Sequence, residues 1–179
     1  TRLALEDGHT VLAARHGFRG LFSGDVQELD WMSVHGWVGK GGAELGTSRR
    51  IPHEHEFEQV ARELERHQID MMLMIGGWSG YMAAHRLHAH RLDHPALNIP
   101  ICCIPASINN NLPGSEYSIG ADTALNSVVH CVDQIKQSAV ASHRCFIVEV
   151  MGKQCGYLAL MSGLATGAER VYLPEEGIT

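Results

Sequence analysis

The sequence predicts an α/β fold, a doubly wound and mostly parallel sheet flanked by helices. Three observations lead to it. Strand-length apolar runs alternate with helix-length amphipathic stretches along the whole chain, the rhythm of successive β–α–β units. Two of the runs, "IDMMLMIGG" (69–77) and "IPICCIPA" (99–106), are apolar almost without interruption, as strands are when both faces are covered. Loops rich in glycine and polar side chains follow the strands, and sheets of this kind bind ligands beyond the carboxyl ends of their strands.

The elements follow in order. "TRLALEDGHTVLAARHG" (1–17) opens on an amphipathic helix tail that runs into a strand at 10–15. Trp31 and Trp37, in "DWMSVHGWVGKGG", read as packing residues near the start of a short helix. In "EHEFEQVARELERHQ" (54–68), Phe57, Val60, Ala61 and Leu64 recur at helical spacing, with Pro52 just upstream. The strand at 69–77 follows, with Met71, Met72 and Met74 as core, then a helix, "YMAAHRLHAHRL" (81–92). The strand at 99–106 is stopped by Pro105. "DTALNSVVHCVDQIKQSAV" (122–140) is a long helix with Ala124, Val128, Cys131, Val132 and Ile135 as its inward stripe. "CFIVEVM" (145–151) reads as a strand, "CGYLALMSGLATG" (155–167) as a helix and "RVYLPE" (170–175) as a final strand. The crossovers between parallel strands are right-handed.

Bulk properties narrow the function. A chain of 179 residues is long enough for one domain with a real core. The net charge of −6, with no run of like charges, excludes nucleic acid and anionic membrane as main partners. No apolar run is long enough to span a bilayer, and no signal peptide is visible, which together predict a cytoplasmic protein. The five cysteines (Cys102, Cys103, Cys131, Cys145, Cys155) lie in apolar segments and read as buried free thiols. His85 and His88, in "HRLHAHRLDH" (85–94), share a helix face, but no carboxylate or Cys completes a ligand set. They read as an exposed helix end.

Four loops carry the candidate chemistry: "GGWSG" (76–80), "SINNN" (107–111), "MGKQCG" (151–156) and "GKGGAELGTSRR" (39–50). Glycines, amides and cations gathered at one sheet edge suit a phosphorylated ligand. Three neutral amides in a row are poor core material and mark a site. An amide hydrogen-bonds in both senses but has no usable proton affinity near neutral pH, so it binds without acting as a base.

"IPASINNNLPGSEYSIGADTALN", "RCFIVEVMGKQCGYLALMSGLATGAE" and "LMIGGWSGYMAAHRL", with "HGFRGL" and "GGAELGTSRR", resemble the phosphofructokinase family over nearly the whole chain. The resemblance implies the Rossmann-type layering of that family. It also implies that 1–179 is one partial family domain, lacking the family's first strand and its second subdomain. In the family's Ile-Asp-Asn-Asp motif the first Asp is the base that deprotonates the sugar hydroxyl; Asn109 stands there, and Asn111 takes the place of the second Asp. The Asp of the family's Gly-Gly-Asp-Gly-Ser loop helps to hold Mg²⁺; here Gly76 and Gly77 are followed by Trp78, Ser79 and Gly80. Mg²⁺ and ATP are cofactors of the family, and Trp78 at the metal-ligand place speaks against their binding by this segment. The metal expectation is therefore none.

On the sugar-phosphate side the resemblance carries over Arg49, Ser107, Asn110, Arg144, Met151, Gly152 and Lys153, alongside Asn109 and Asn111. Asp133 and Lys136 lie in the helix whose family counterpart carries a cation for an effector phosphate, and Glu175 and Glu176 fall near an effector-metal region or at a solvated strand end. The pattern is most similar to the catalytically degenerate C-terminal half of tandem-duplicated phosphofructokinases, which binds fructose 2,6-bisphosphate. The implied partners are fructose 6-phosphate or a fructose bisphosphate and other phosphofructokinase subunits. The implied parent is a glycolytic 6-phosphofructokinase, with this part its regulatory sugar-bisphosphate-binding half; the alternatives are a directly catalytic kinase domain with altered machinery and a structural, inactive subunit that supports a tetramer.

Overall fold

Phe57, Val60, Ala61 and Leu64 fall on one face of a helix, and all four are buried in the computed structural model, which describes residues 1–177. The order of elements is α1 (Arg2–Glu6), β1 (Val11–Ala14), α2 (Phe18–Ser23), β2 (Val26–Leu29), α3 (Phe57–Arg66), β3 (Met72–Gly76), α4 (Trp78–Ala89), β4 (Ile101–Pro105), α5 (Ala121–Ser142) and α6 (Tyr157–Thr166). The chain resolves into two compact units, one of Thr1–Met74 with Ser79–Cys103, the other of Ile75–Trp78 with the chain from Ile104 onward.

In the first unit, α3 is the hub. Its buried face packs with Phe18 and Leu21 of α2, Ala83 and Leu87 of α4, and Leu97, while Met72 and Met74 lean on the same cluster. Burying an aromatic anchor such as Phe57 contributes on the order of 3 kcal/mol or more. The approach to α3 is fixed by Glu56, whose carboxylate accepts the His53 backbone N–H at 2.9 Å and pairs with Arg50. The Arg50 guanidinium also lies 4.6 Å from the Phe22 ring centroid. β1 and β2 form a separate antiparallel ribbon, Val11 opposite Leu29 and Ala14 opposite Val26. Ala13, Leu29 and Val34 make a small second core there, with Trp37 packed against it.

β3 and β4 pair in parallel. Met72 N–H donates to Pro100 O at 2.9 Å and Ala106 N–H to Gly76 O at 3.0 Å, so the two registers climb together. The fold is α/β, with helices against this parallel pair. In the second unit, α5 packs on α6, and Lys136 donates to the carbonyl of Thr166 at the end of α6, the end of a helix where a cation is favoured. No helix among the described residues is long and apolar enough to cross a membrane.

Several expectations are corrected. Residues 145–151 and 170–175 form no strand. Phe146 and Val148 are exposed and Ile147 is 95% exposed; β-rich composition orders a strand only where a ladder partner is present, and among the described residues these segments have none. β3 is covered on one face only: Leu73 and Ile75 are exposed, and Met71 is 60% exposed rather than core. Trp31 is 52% exposed, so only Trp37 packs as expected. β2 was not foreseen. On α5, Ala121 is the buried residue, and Cys131, placed in the inward stripe, is exposed. All five thiols are free, but none is buried: Cys102, Cys131 and Cys145 are exposed and Cys103 and Cys155 half-buried.

Candidate functional site

The end of β4 is pinned on two sides within the second unit. Ala106 N–H donates to Gly76 O at 3.0 Å, and Ile119 N–H donates to Pro105 O at 2.9 Å. From there the chain turns sharply. The Ser107 hydroxyl accepts the Asn109 N–H at 3.3 Å, and Asn110 takes a left-handed φ of 49°, a conformation that asparagine tolerates better than most residues.

The three amides divide into different tasks. Asn110 is committed to its own loop: its Nδ2 donates to Glu116 O at 3.1 Å and its Oδ1 accepts the Ser118 N–H at 2.8 Å. Asn109 is held by its backbone, with its carbonyl accepting the Cys155 thiol at 3.2 Å. Its side-chain Oδ1 is buried and has no hydrogen-bond partner among the described residues, and the nearby Ser118 Oγ shares that condition. A buried unpaired polar atom costs about 1–3 kcal/mol. Asn111 is exposed at the loop surface.

The glycine loop touches the amide loop. A Cβ built on Gly77 would sit 3.4 Å from both Ala106 O and Ser107 Cβ, so a side chain there would press on the turn. Trp78 follows as the first residue of α4 and is 55% exposed. Indole offers one N–H donor and no oxygen, so Trp78 itself is no metal ligand. Ser79 and Gly80 belong to the first unit, where a Cβ on Gly80 would meet Met74 Cγ at 3.4 Å; that glycine lets the helix approach the strand.

Residues 151–156 form a tight turn. Gly152 has a φ of 142°, and a Cβ there would lie 2.3 Å from Cys155 O; only glycine fits. Cys155 N–H closes the turn on Gly152 O at 3.2 Å, and Gly156 N–H donates to Glu175 Oε1 at 2.8 Å. Met151 and Lys153 are exposed on this turn. Arg144 follows the left-handed cap of α5 at His143 and is exposed, with no ion pair among the described residues. In the first unit, Arg49 and Arg50 part company: Arg50 is taken by Glu56 and Phe22, whereas Arg49 is exposed and unpaired among the described residues.

Other sequence candidates are occupied structurally. Lys136 caps α6, Glu175 holds Gly156, and Glu176 accepts the Leu173 N–H at 3.2 Å; Asp133 is exposed. No cluster of three or more His, Cys, Asp or Glu suited to a metal ion occurs among the described residues. His85 and His88 line an open cavity of about 340 Å³ in the first unit with Tyr81, Ala84, Ile101 and Cys103. Burial pushes the Cys103 thiol above its ordinary pKa, so it stays protonated. Sequence reasoning missed the Cys155 link to Asn109 and the anchoring of the loop at Ser118; contacts spanning 46 residues leave no periodic trace.

A family model described as Phosphofructokinase matches residues 1–179. Among curated proteins, the ATP-dependent 6-phosphofructokinase of Dictyostelium discoideum is 49% identical over 180 residues, all of this chain and 22% of its own length. The platelet-type ATP-dependent 6-phosphofructokinase of Homo sapiens is 45% identical over 98% of this chain and 22% of its own. A crystal structure of Pichia pastoris phosphofructokinase in the T-state superimposes with a TM-score of 0.91 at 45% identity, over 96% of this chain and 18% of that chain. The chain thus spans about a fifth of the length of the relatives it matches.

Proposed function

Because the chain belongs to the phosphofructokinase family, we propose that it is the part of an ATP-dependent 6-phosphofructokinase that binds a sugar bisphosphate without phosphorylating it. The full polypeptide makes fructose 1,6-bisphosphate from fructose 6-phosphate and ATP in the cytoplasm, as an assembly of several subunits. The present residues serve regulation. The observation that carries this reading is Asn109, a neutral amide in the loop after β4 whose Oδ1 has no hydrogen-bond partner among the described residues. It can receive a sugar hydroxyl hydrogen bond, but it cannot remove the proton.

The cost to catalysis is large. General-base assistance is worth roughly 10²–10⁴ in rate, and Asn109 offers none. Trp78 brings no oxygen to a metal, so the residues present do not fit Mg²⁺–ATP. Binding gains by the same exchange. A carboxylate 4 Å from a phosphate oxygen costs about 1 kcal/mol in a water-like surrounding, and amides at 109 and 111 remove that repulsion. Within the second unit, Arg144 and Lys153, both exposed, supply charge-assisted donors for the phosphates, and Ser107 and the backbone of Met151 and Gly152 supply neutral contacts.

Calorimetry with fructose 2,6-bisphosphate on the full-length polypeptide tests this. Losing one charge-assisted contact is worth about 1.5–3 kcal/mol, so Arg144→Ala should weaken binding by roughly tenfold to a hundredfold. An unchanged dissociation constant would contradict the reading.

A further inference from the structure

Cys155 sits where two loops of the candidate site meet, and nothing in the proposed function uses it. Its thiol donates to the backbone carbonyl of Asn109 at 3.2 Å, across 46 residues of sequence. That thiol is half-buried. Its own position is not free. Gly152, at a φ of 142°, closes the turn so tightly that a Cβ would fall 2.3 Å from Cys155 O. One residue further on, Gly156 N–H is held by Glu175 at 2.8 Å. The turn is therefore fixed at both ends, and the thiol is the point at which it grips the amide loop.

Asn109 needs such a grip. Its side-chain acceptor is buried without a partner, and an unsatisfied acceptor pulls a loop toward any rotation that reaches water. Asn110 anchors the downstream side of the loop through Glu116 and Ser118, and Ser107 holds the Asn109 N–H. The Asn109 carbonyl is left to Cys155. We propose that Cys155 is a positioning residue: by holding the Asn109 backbone it keeps the Asn109 amide oriented for a sugar hydroxyl, and so sets affinity for the bisphosphate without touching it. This rests on the bisphosphate-binding reading above.

The thiol acts as a neutral donor, so a hydroxyl can replace it and a methyl cannot. A thiol is a weak donor, so this hydrogen bond is worth about 0.5–1 kcal/mol, or roughly two- to fivefold in a dissociation constant. Calorimetry of the full-length polypeptide with fructose 2,6-bisphosphate should show Cys155→Ala weakened within that range, with Cys155→Ser restored to within about twofold of wild type. Equal affinities for all three proteins would overturn the proposal. Equal weakening of the alanine and serine variants would overturn it too, by assigning Cys155 a packing role. Failure of the wild type itself to bind would instead sink the bisphosphate reading, and the positioning role with it. Should the alanine variant not fold, alkylation of the wild type decides. Saturating bisphosphate should slow modification of Cys155, read by mass spectrometry, while Cys102 and Cys131 keep the rates they show without it. An unchanged rate at Cys155 would overturn the proposal.

Discussion

Asparagine at 109, 110 and 111 looks uniform in sequence, yet the three side chains meet different physical demands. Asn110 spends both ends of its amide on the loop and bears a left-handed backbone. Asn110→Ala should lose two hydrogen bonds and keep the unfavourable φ, a destabilisation of about 2–3 kcal/mol, checked by chemical denaturation. A change below about 0.5 kcal/mol would mean that the clamp is not formed in solution. Asn109 keeps its side-chain oxygen unspent, and Asn111 is exposed. An amide run after an apolar strand marks a candidate site in the sequence. It does not show which amide holds the loop, because that depends on partners at Glu116 and Ser118 and on one backbone angle. Arg49 and Arg50 carry the same lesson: adjacent and chemically alike, they separate only when Glu56 and Phe22 claim the second.

At the scale of elements, the helices other than α2 (Phe18–Ser23) were legible and strands only partly so. α3 follows from the spacing of Phe57, Val60, Ala61 and Leu64, because a helix makes its hydrogen bonds within itself and needs only one apolar face to be covered. The runs at 145–151 and 170–175 carry strand composition but stay irregular, since a strand depends on a neighbour that local sequence does not specify. The start of α3 offers a test of local electrostatics. The His53 backbone N–H, and then Arg50, hold the Glu56 carboxyl below its ordinary value of 4.5. A lowered folded-state pKa contributes stability that is present above the unfolded value and is lost as pH falls through the folded one. Thermal unfolding followed from about pH 6 down to pH 3 should therefore lose a pH-dependent component in Glu56→Gln. Identical profiles for the two proteins would rule out this contribution.

For the whole molecule, the fold class and the family were both legible, the first from alternation and the second from motifs spread along the chain, and the structural likeness to phosphofructokinases agrees with them. The division into two compact units was not legible, because it cuts through β3 and β4 rather than falling in a linker. One unit contains Ser107 to Asn111, Arg144 and residues 151–153; Arg49, Ser79 and Gly80 belong to the other. Charge at the amide loop decides whether a doubly phosphorylated sugar is held. The most direct test is the affinity of the full-length polypeptide for fructose 2,6-bisphosphate before and after the double change Asn109→Asp and Asn111→Asp. Restoring two carboxylates should weaken binding by roughly tenfold to a hundredfold, the larger loss appearing as pH rises above the carboxylate range. Undiminished or tighter binding by the acidic variant would contradict the account.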